Sequence, residues 1–440
     1  MKRFFSYFLT LGMFLLTGFN TRAQTVKISA ELRPRFEFRH GYKTMAPDNA
    51  RAASFISQRT RLNAFFANGS FSAFLSLQDI RVWGNVDQLN AKDVNGFGVH
   101  EAWGEIRLCN LLSLKVGRQE VSYDDERIFG AVGWAQQARS HDAAVLKFNF
   151  EDSHHLDIGL GYNATGESLF REEYNLSNYK TIQWLHYHGN FDNAGLSILF
   201  LNNGIAYDGE PSPLEYDEKI AYSQTIGARY NIGMEGLKID AAFYYQGGKN
   251  GTNHDLSAFY FSANALFQAT DDINAGVGLE YLSGTSSENQ NQANETDHSF
   301  TPLYGTNHKF NGWMDYFYVG NYGGQNGLVD IYIPLSYKYK KWNFILRPHY
   351  FLAAATVSIL DTGGQAVRDY SNGLGAEIDF QVQYNISDNV NIAGGYSQML
   401  ASETMQVVKY PGNPAGEFYK NNNDWAWLML TFKPTFFSKE

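Results

Sequence analysis

The chain has 440 residues, a formal net charge of −10, 18% charged and 16% aromatic residues, and a single cysteine, Cys109. That charge speaks against a nucleic-acid partner, and one cysteine excludes an internal disulfide. A charged fraction below the roughly 25% usual for soluble domains, with 41 glycines, 28 tyrosines and 10 prolines, excludes a disordered or mainly helical chain and leaves a sandwich, a solenoid or a membrane barrel.

Residues 1–23 read as a leader. The basic start MKR precedes the apolar run FFSYFLTLGMFLLTGF and the small-residue site TRA before Gln24, the order of a secretory signal peptide. Residues 24–440 read as one domain, without linker, heptad or repeat. No later apolar run is long enough for a membrane helix.

The first strand, within KISAELRPRFEFRH (27–40), sets Lys27, Ser29, Glu31, Arg33, Arg35, Glu37 and Arg39 against Ile28, Ala30, Leu32, Pro34, Phe36 and Phe38. A period of two marks a strand with two unlike faces. Seventeen more follow, at roughly 55–67, 70–82, 98–108, 111–118, 141–150, 154–163, 180–190, 194–203, 221–232, 236–246, 256–268, 272–283, 327–339, 341–352, 373–385, 389–400 and 424–433. Tight turns close the even-numbered strands: NG at 68–69, EDS at 151–153, GMEG at 233–236, SDN at 387–389. Longer polar loops close the odd-numbered ones, the longest near 284–326. This parity predicts an all-β fold, a transmembrane antiparallel β-barrel of about eighteen strands (16–18), with short periplasmic turns and long extracellular loops. An even count puts both termini in the periplasm. The expected location is the outer membrane of a Gram-negative bacterium, in contact with its lipid.

The faces follow from cost. A cationic side chain facing mid-bilayer lipid costs about 2–4 kcal/mol, so the arginines of strand one point into the bore and Leu32, Phe36 and Leu62 point to lipid. Pro34, on the lipid face without a ladder N–H, predicts a bulge. Asp79 and Arg81 share the face of Leu77, which places them above the hydrocarbon or after a bulge. Fifteen arginines follow the leader, and eleven of them lie between residues 33 and 139, so one side of the wall is arginine-rich. The lumen set is Arg33, Arg35, Arg59, Arg61 and Arg107 with carboxylates Glu31, Glu37, Glu101 and Glu105. Across the bore stand Arg229 and Arg347 with Glu280, Asp330, Glu377 and Asp379. Two arrangements are open, with different arginines in each: an Arg–carboxylate network that stiffens the lumen, and an anion pathway in which unpaired arginines bind weakly at several stations.

Residues 117–142 read GRQEVSYDDERIFGAVGWAQQARSHD. With ELRPRFE (31–37), SQRTRL (57–62) and LQDIRVWG (77–84), this stretch resembles the alginate-export family of bacterial outer-membrane proteins, most densely over residues 30–150. The resemblance implies an eighteen-stranded barrel with an arginine-lined constriction that passes an acidic polysaccharide such as alginate. It points to Arg33, Arg35, Arg59, Arg61, Arg118, Arg127 and Arg139, with Asp124, Asp125 and Asp142 as partners. It also implies a long periplasmic loop before the last two strands; here that connection is the short NISDN (385–389).

Other motifs carry less. His186 and His188 share a strand face, YDDE (123–126) lacks the spaced oxygens of a calcium loop, Glu101 and Glu105 have no pocket around them, and GNYGGQNG (320–327) precedes a strand rather than a helix. No Ser–His–Asp set appears. The expectation is a non-catalytic channel, monomeric, without cofactor or metal, passing an anionic small solute or polysaccharide, with periplasmic secretion partners as an added expectation. The alternative is a barrel enzyme or adhesin acting through loops 283–326 and 400–424.

Overall fold

The computed structural model describes residues 24–439, apart from 90–95, 151–152, 171, 175–177, 209–217, 291, 293–294, 319–324, 362–363 and 411–418. The leader read at 1–23 lies outside the described residues.

Eighteen strands close into one antiparallel barrel. They are β1 (Gln24–His40), β2 (Ala53–Asn68), β3 (Phe71–Val82), β4 (Gly98–Cys109), β5 (Leu112–Gln119), β6 (His141–Phe150), β7 (His154–Tyr162), β8 (Thr181–Phe191) and β9 (Ala194–Asp208). Then come β10 (Glu218–Met234), β11 (Leu237–Lys249), β12 (Asp255–Gln268), β13 (Ile273–Leu282), β14 (Leu328–Tyr332, resumed at Leu335–Tyr339), β15 (Trp342–Leu352), β16 (Gly373–Ser387), β17 (Val390–Ala401) and β18 (Asn422–Phe432, resumed at Thr435–Lys439). The two interruptions fall at Pro334 and Pro434. A proline cannot donate to a ladder, but each carbonyl still accepts, from Gly276 N and Ala30 N, both at 3.0 Å. The residues after Pro434 pair with Val26–Ser29, so the C-terminal extension finishes the seam.

Pro34 needs no bulge. It lies opposite Gln58 of β2, while the β1–β18 ladder runs from Leu32–Phe432 to Arg35–Met429 and passes over Arg33 and Pro34. The missing N–H coincides with a gap in pairing.

The pleat sorts side chains as the lipid cost requires. Ile28, Leu32, Phe36, Leu62, Leu75, Ile106, Val116, Ile158, Phe243, Val277, Ile378 and Leu428 are exposed on the outer wall, whereas the arginines and carboxylates alternating with those of β1 are buried. Asp79 and Arg81 keep the outward side near the extracellular end of β3, neutralised by two mutual hydrogen bonds of 2.6 and 2.8 Å. No described helix is long and apolar enough to cross a membrane.

Two extracellular loops turn into the bore rather than outward, residues 120–140 and 299–318. They interlock. Gly130 N donates to Tyr304 O (2.9 Å) and Thr306 N to Glu126 O (2.9 Å). Val132 N donates to Thr306 Oγ1 at 3.0 Å. A Cβ on Gly130 would meet Thr306 Oγ1 at 2.3 Å, and one on Gly305 would meet Arg127 O at 2.2 Å, so only glycines let the backbones approach this closely. Val132 holds φ 53°. A β-branched residue pays steric strain there, and it persists because the surrounding contacts over-determine the loop. A short helix, α1 (Glu403–Lys409), capped by Ser402 and buried from Thr404 to Val408, packs in from the β17–β18 loop. The long loops 283–326 and 400–424, expected at the surface in the adhesin reading, thus spend their described residues largely on the interior.

Candidate functional site

β1 and β2 set Arg33 and Arg59 opposite each other in register. Two like charges facing across a ladder repel; the Glu31 carboxylate, paired with Arg59, offsets one of them, and backbone carbonyls take up the remaining N–H groups. Arg33 Nη1 donates to Gly133 O (2.8 Å) and Nη2 to Trp134 O (3.1 Å). Arg35 Nη1 donates to Trp134 O (2.7 Å) and its guanidinium lies 4.0 Å from the Trp134 ring. Arg59 donates to Glu31 (2.5 and 2.8 Å) and more weakly to the carbonyls of Gly133, Ala135 and Gln136. Glu37, 0% exposed, accepts from Arg35, Arg39 and Trp425. These arginines therefore clamp the 133–136 segment against the wall.

The opposite wall holds the second loop with carboxylates. Asp379 accepts from Trp313 N (3.2 Å) and Glu377 from Met314 N (2.7 Å). Asn311 Nδ2 bridges Glu280 (3.0 Å) and Asp330 (3.2 Å), and His349 pairs with Asp330 at 2.8 Å. Arg127 crosses between the loops: it is fully buried, pairs with Glu280 at 2.9 Å and donates to Asn311 Oδ1 at 2.9 Å. Burial opposes its charge, but Glu280, Asp125 and Asp330 together hold its pKa above the ordinary arginine value. Trp134 stacks on His308 at 4.5 Å, joining the two loops beside the β1–β18 wall, where Trp427 meets the same ring at 4.9 Å.

The YDDE run anchors the third side. Tyr123 donates to Asp157 (2.8 Å) and accepts from Trp184 Nε1 (3.0 Å). Asp124 takes His186 (3.1 Å) and Ser197, while Asp125 faces Arg229 at 3.6 Å, which also pairs with Asp240 at 2.6 Å. Burial raises the Asp124 carboxyl, but His186, Ser197 and Arg229 outweigh it and hold it below 3.8.

Two comparisons with known proteins bear on this geometry. Residues 24–160 match the alginate-export family. That stretch holds β1 to β6, the arginine clamp and the first inward loop, and bears out the resemblance read from the sequence. No curated protein sequence matches the chain. Three solved structures share its barrel over nearly full length. Acinetobacter baumannii OccAB4 is 11% identical with a TM-score of 0.61, covering 95% of this chain and 99% of that one. Pseudomonas aeruginosa OccK3 (OpdO) is 12% identical with a TM-score of 0.58, covering 94% and 96%. Pseudomonas aeruginosa OpdQ is 12% identical with a TM-score of 0.57, covering 94% and 98%. Identity this low speaks for the fold alone. The lipid-facing apolar wall, the match over residues 24–160 and the shared fold together describe an outer-membrane β-barrel of a Gram-negative bacterium.

Two residues carried over from the alginate-export resemblance are corrected. Arg118 and Asp142 do not face the lumen; they pair with each other at 2.8 Å, 42% and 60% exposed, on the outer side at the extracellular ends of β5 and β6. Their neighbours Gln119, His141 and Ala143 are the buried set, and the rim position lets both charges stay wet. Arg107 is exposed beside the periplasmic turns, where it lines a cleft of about 190 Å³ with Glu105 and Ser113. Glu105 accepts from Ser113, and Glu101 from Trp103 Nε1 and Glu120 N, so neither is set up as an acid–base partner of the other.

Three inward arginines are less fully occupied. Arg61 donates to Gln78 (2.9 Å) and lies 3.8 Å from Glu120, leaving Nη2 buried without a hydrogen-bond partner. Arg347 touches the rings of Trp313 and Tyr332 at 5.8 Å, and its Nε has no partner. Arg139 gives Nη1 to Gly305 O (3.2 Å) and has no carboxylate within salt-bridge range among the described residues. Burial pushes its pKa down. Residues not singled out from the sequence include Trp134, Gln136, His308, Asn311 and Trp313. His100 was also missed: a bulge between Ser76 and Leu77 turns it inward onto Glu120 at 2.8 Å, against the strand alternation.

Proposed function

We propose that the barrel passes small anionic solutes along the bore, by way of Arg139 and Arg61, and that residues 1–23 are the leader removed near Ala23. The observation that carries this is Arg139: a guanidinium inside the bore, with one hydrogen bond to a carbonyl and no acid beside it among the described residues. An uncompensated cation in a low-dielectric passage attracts anions and repels cations. Lys115 and Lys147 continue positive charge toward the periplasmic half, although Lys147 shares Asp157 at 3.0 Å. The interlocked loops favour a small solute, because a polysaccharide chain such as alginate needs both loops to leave. Planar-bilayer recordings in a KCl gradient test the proposal. The reversal potential lies on the chloride side, and Arg139→Ala moves it toward zero; a potassium-selective wild type, or a variant with unchanged selectivity, contradicts it.

A further inference from the structure

The β3–β4 ladder pairs Ser76 with Glu101 and Leu77 with Val99, so His100 is one residue more than the register holds. A bulge of this kind re-aims a side chain, and here it breaks the alternation that would set His100 and Glu101 on opposite faces. Both turn toward Glu120, the first residue after β5, and one ligand atom from each of the three lies within 4.8 Å of the other two. His100 is 3% exposed, and its Nε2 stands 2.8 Å from Glu120 Oε1. Glu101 is fixed by its own contacts. Its Oε2 accepts from Trp103 Nε1 and from the Glu120 backbone N–H, both at 3.1 Å, which leaves Oε1 without a hydrogen-bond partner among the described residues. Carboxylates that ligate a metal are oriented by hydrogen bonds of this sort. Among the described residues Arg61 is the guanidinium within ion-pair range, 3.8 Å from Glu120, and its Nε is spent on Gln78. One imidazole and two carboxylates, with room for water as a fourth ligand on the part-exposed side of Glu101 and Glu120, are a donor set for a zinc-class ion. Two ligand atoms of a tetrahedral zinc site stand about 3.4 Å apart, so Glu120 has to draw back from His100 by a fraction of an ångström. Its side chain, 32% exposed, is free to do so.

We infer that His100, Glu101 and Glu120 form a binding site for a divalent transition-metal ion of the zinc class, on the bore wall at the extracellular ends of β4 and β5. The ion takes the place of the proton shared by His100 Nε2 and Glu120, and it draws Glu120 away from Arg61. Titration calorimetry with zinc chloride tests this on the full, untagged barrel in detergent, in a Cys109→Ser background that removes the thiol. One zinc ion binds per barrel, and His100→Gln and Glu120→Gln each weaken it at least tenfold. Arg61→Gln tightens it severalfold, because the charge competing for Glu120 is gone. A hundredfold excess of calcium chloride leaves the zinc affinity unchanged, since calcium takes oxygen ligands and an imidazole suits zinc. Cobalt(II) chloride reads the same site without any substitution in it: its visible absorption on the barrel is bleached by one equivalent of zinc. Absence of zinc binding, full affinity in His100→Gln or Glu120→Gln, weaker binding in Arg61→Gln, displacement by calcium, or cobalt absorption that zinc leaves intact overturns the site.

Discussion

Arg127→Ala probes how the two inward loops are held. The Arg127 side chain is 1% exposed and its Glu280 partner 3%, with 2.9 Å between them, and the guanidinium lies 4.5 Å from the Phe310 ring and 5.0 Å from that of Tyr260. Removing one member of such a pair strands the other charge in the interior, at a cost of roughly 3–5 kcal/mol. At 1.4 kcal/mol per decade, the ratio of seated to displaced loops falls by about two to three and a half powers of ten. Both loops move together, because Arg127 also holds Asn311 and the backbones are hydrogen-bonded at Gly130–Tyr304 and Glu126–Thr306. Hydrogen exchange read by mass spectrometry is the assay: the amides of Gly130, Val132 and Thr306 lose protection by that factor while the strand amides do not. Replacing both charges, Arg127→Met with Glu280→Met, recovers most of the protection, since an apolar pair of similar volume leaves nothing stranded. Unchanged exchange in Arg127→Ala, or a double variant as damaged as the single one, refutes the reasoning.

Other outcomes follow from the same geometry. Leu62→Arg places a cation on the lipid face and costs about 2–4 kcal/mol in vesicle unfolding, whereas Asn63→Arg, one residue on and facing the bore, costs far less. Gly159→Val puts a Cβ 2.1 Å from Trp184, so the indole shifts, its 3.0 Å bond to Tyr123 breaks, and overpacking costs about 1–3 kcal/mol, read as a change in tryptophan fluorescence. Acid loosens the second loop. Burial raises the Asp315 carboxyl, but His308, Tyr42 and Lys43 outweigh burial and hold it below 3.8. Its stabilising contribution is complete above that value and is lost as pH falls through the depressed one, so the protection factors at 308–315, taken relative to intrinsic exchange, fall below about pH 4.

The strands were legible because a lipid-facing wall tolerates no ambiguity: Leu32 and Leu62 out, Arg33 and Arg61 in, with turn and loop lengths fixing the parity. The chemistry at the end of each arginine was not legible. Arg33, Arg35 and Arg59 are met by carbonyl oxygens of residues 133–136, and every residue carries a carbonyl, so nothing in the spelling marks those four. Arg118 failed for another reason. Its lumen assignment rests on the family resemblance alone; alternation with Leu114 and Val116 puts it on the outer face, where the rim lets the charge stay wet beside Asp142. The inward turn of residues 299–318 likewise depends on partners some 20 to 70 positions away, such as Met314 with Glu377 and Asn311 with Asp330.

Nitroxide accessibility in vesicles, in a Cys109→Ser background, tests the central claim most directly: a lipid-facing apolar wall around a bore narrowed by two interlocked loops. Labels at Phe36, Leu62 and Leu75 collide with dissolved oxygen and not with a water-soluble nickel chelate, while labels at Gln137 and Lys309 meet the chelate and are slowed by the neighbouring loop. Chelate contact at Leu62, or freely tumbling labels at Gln137 and Lys309, contradicts the account.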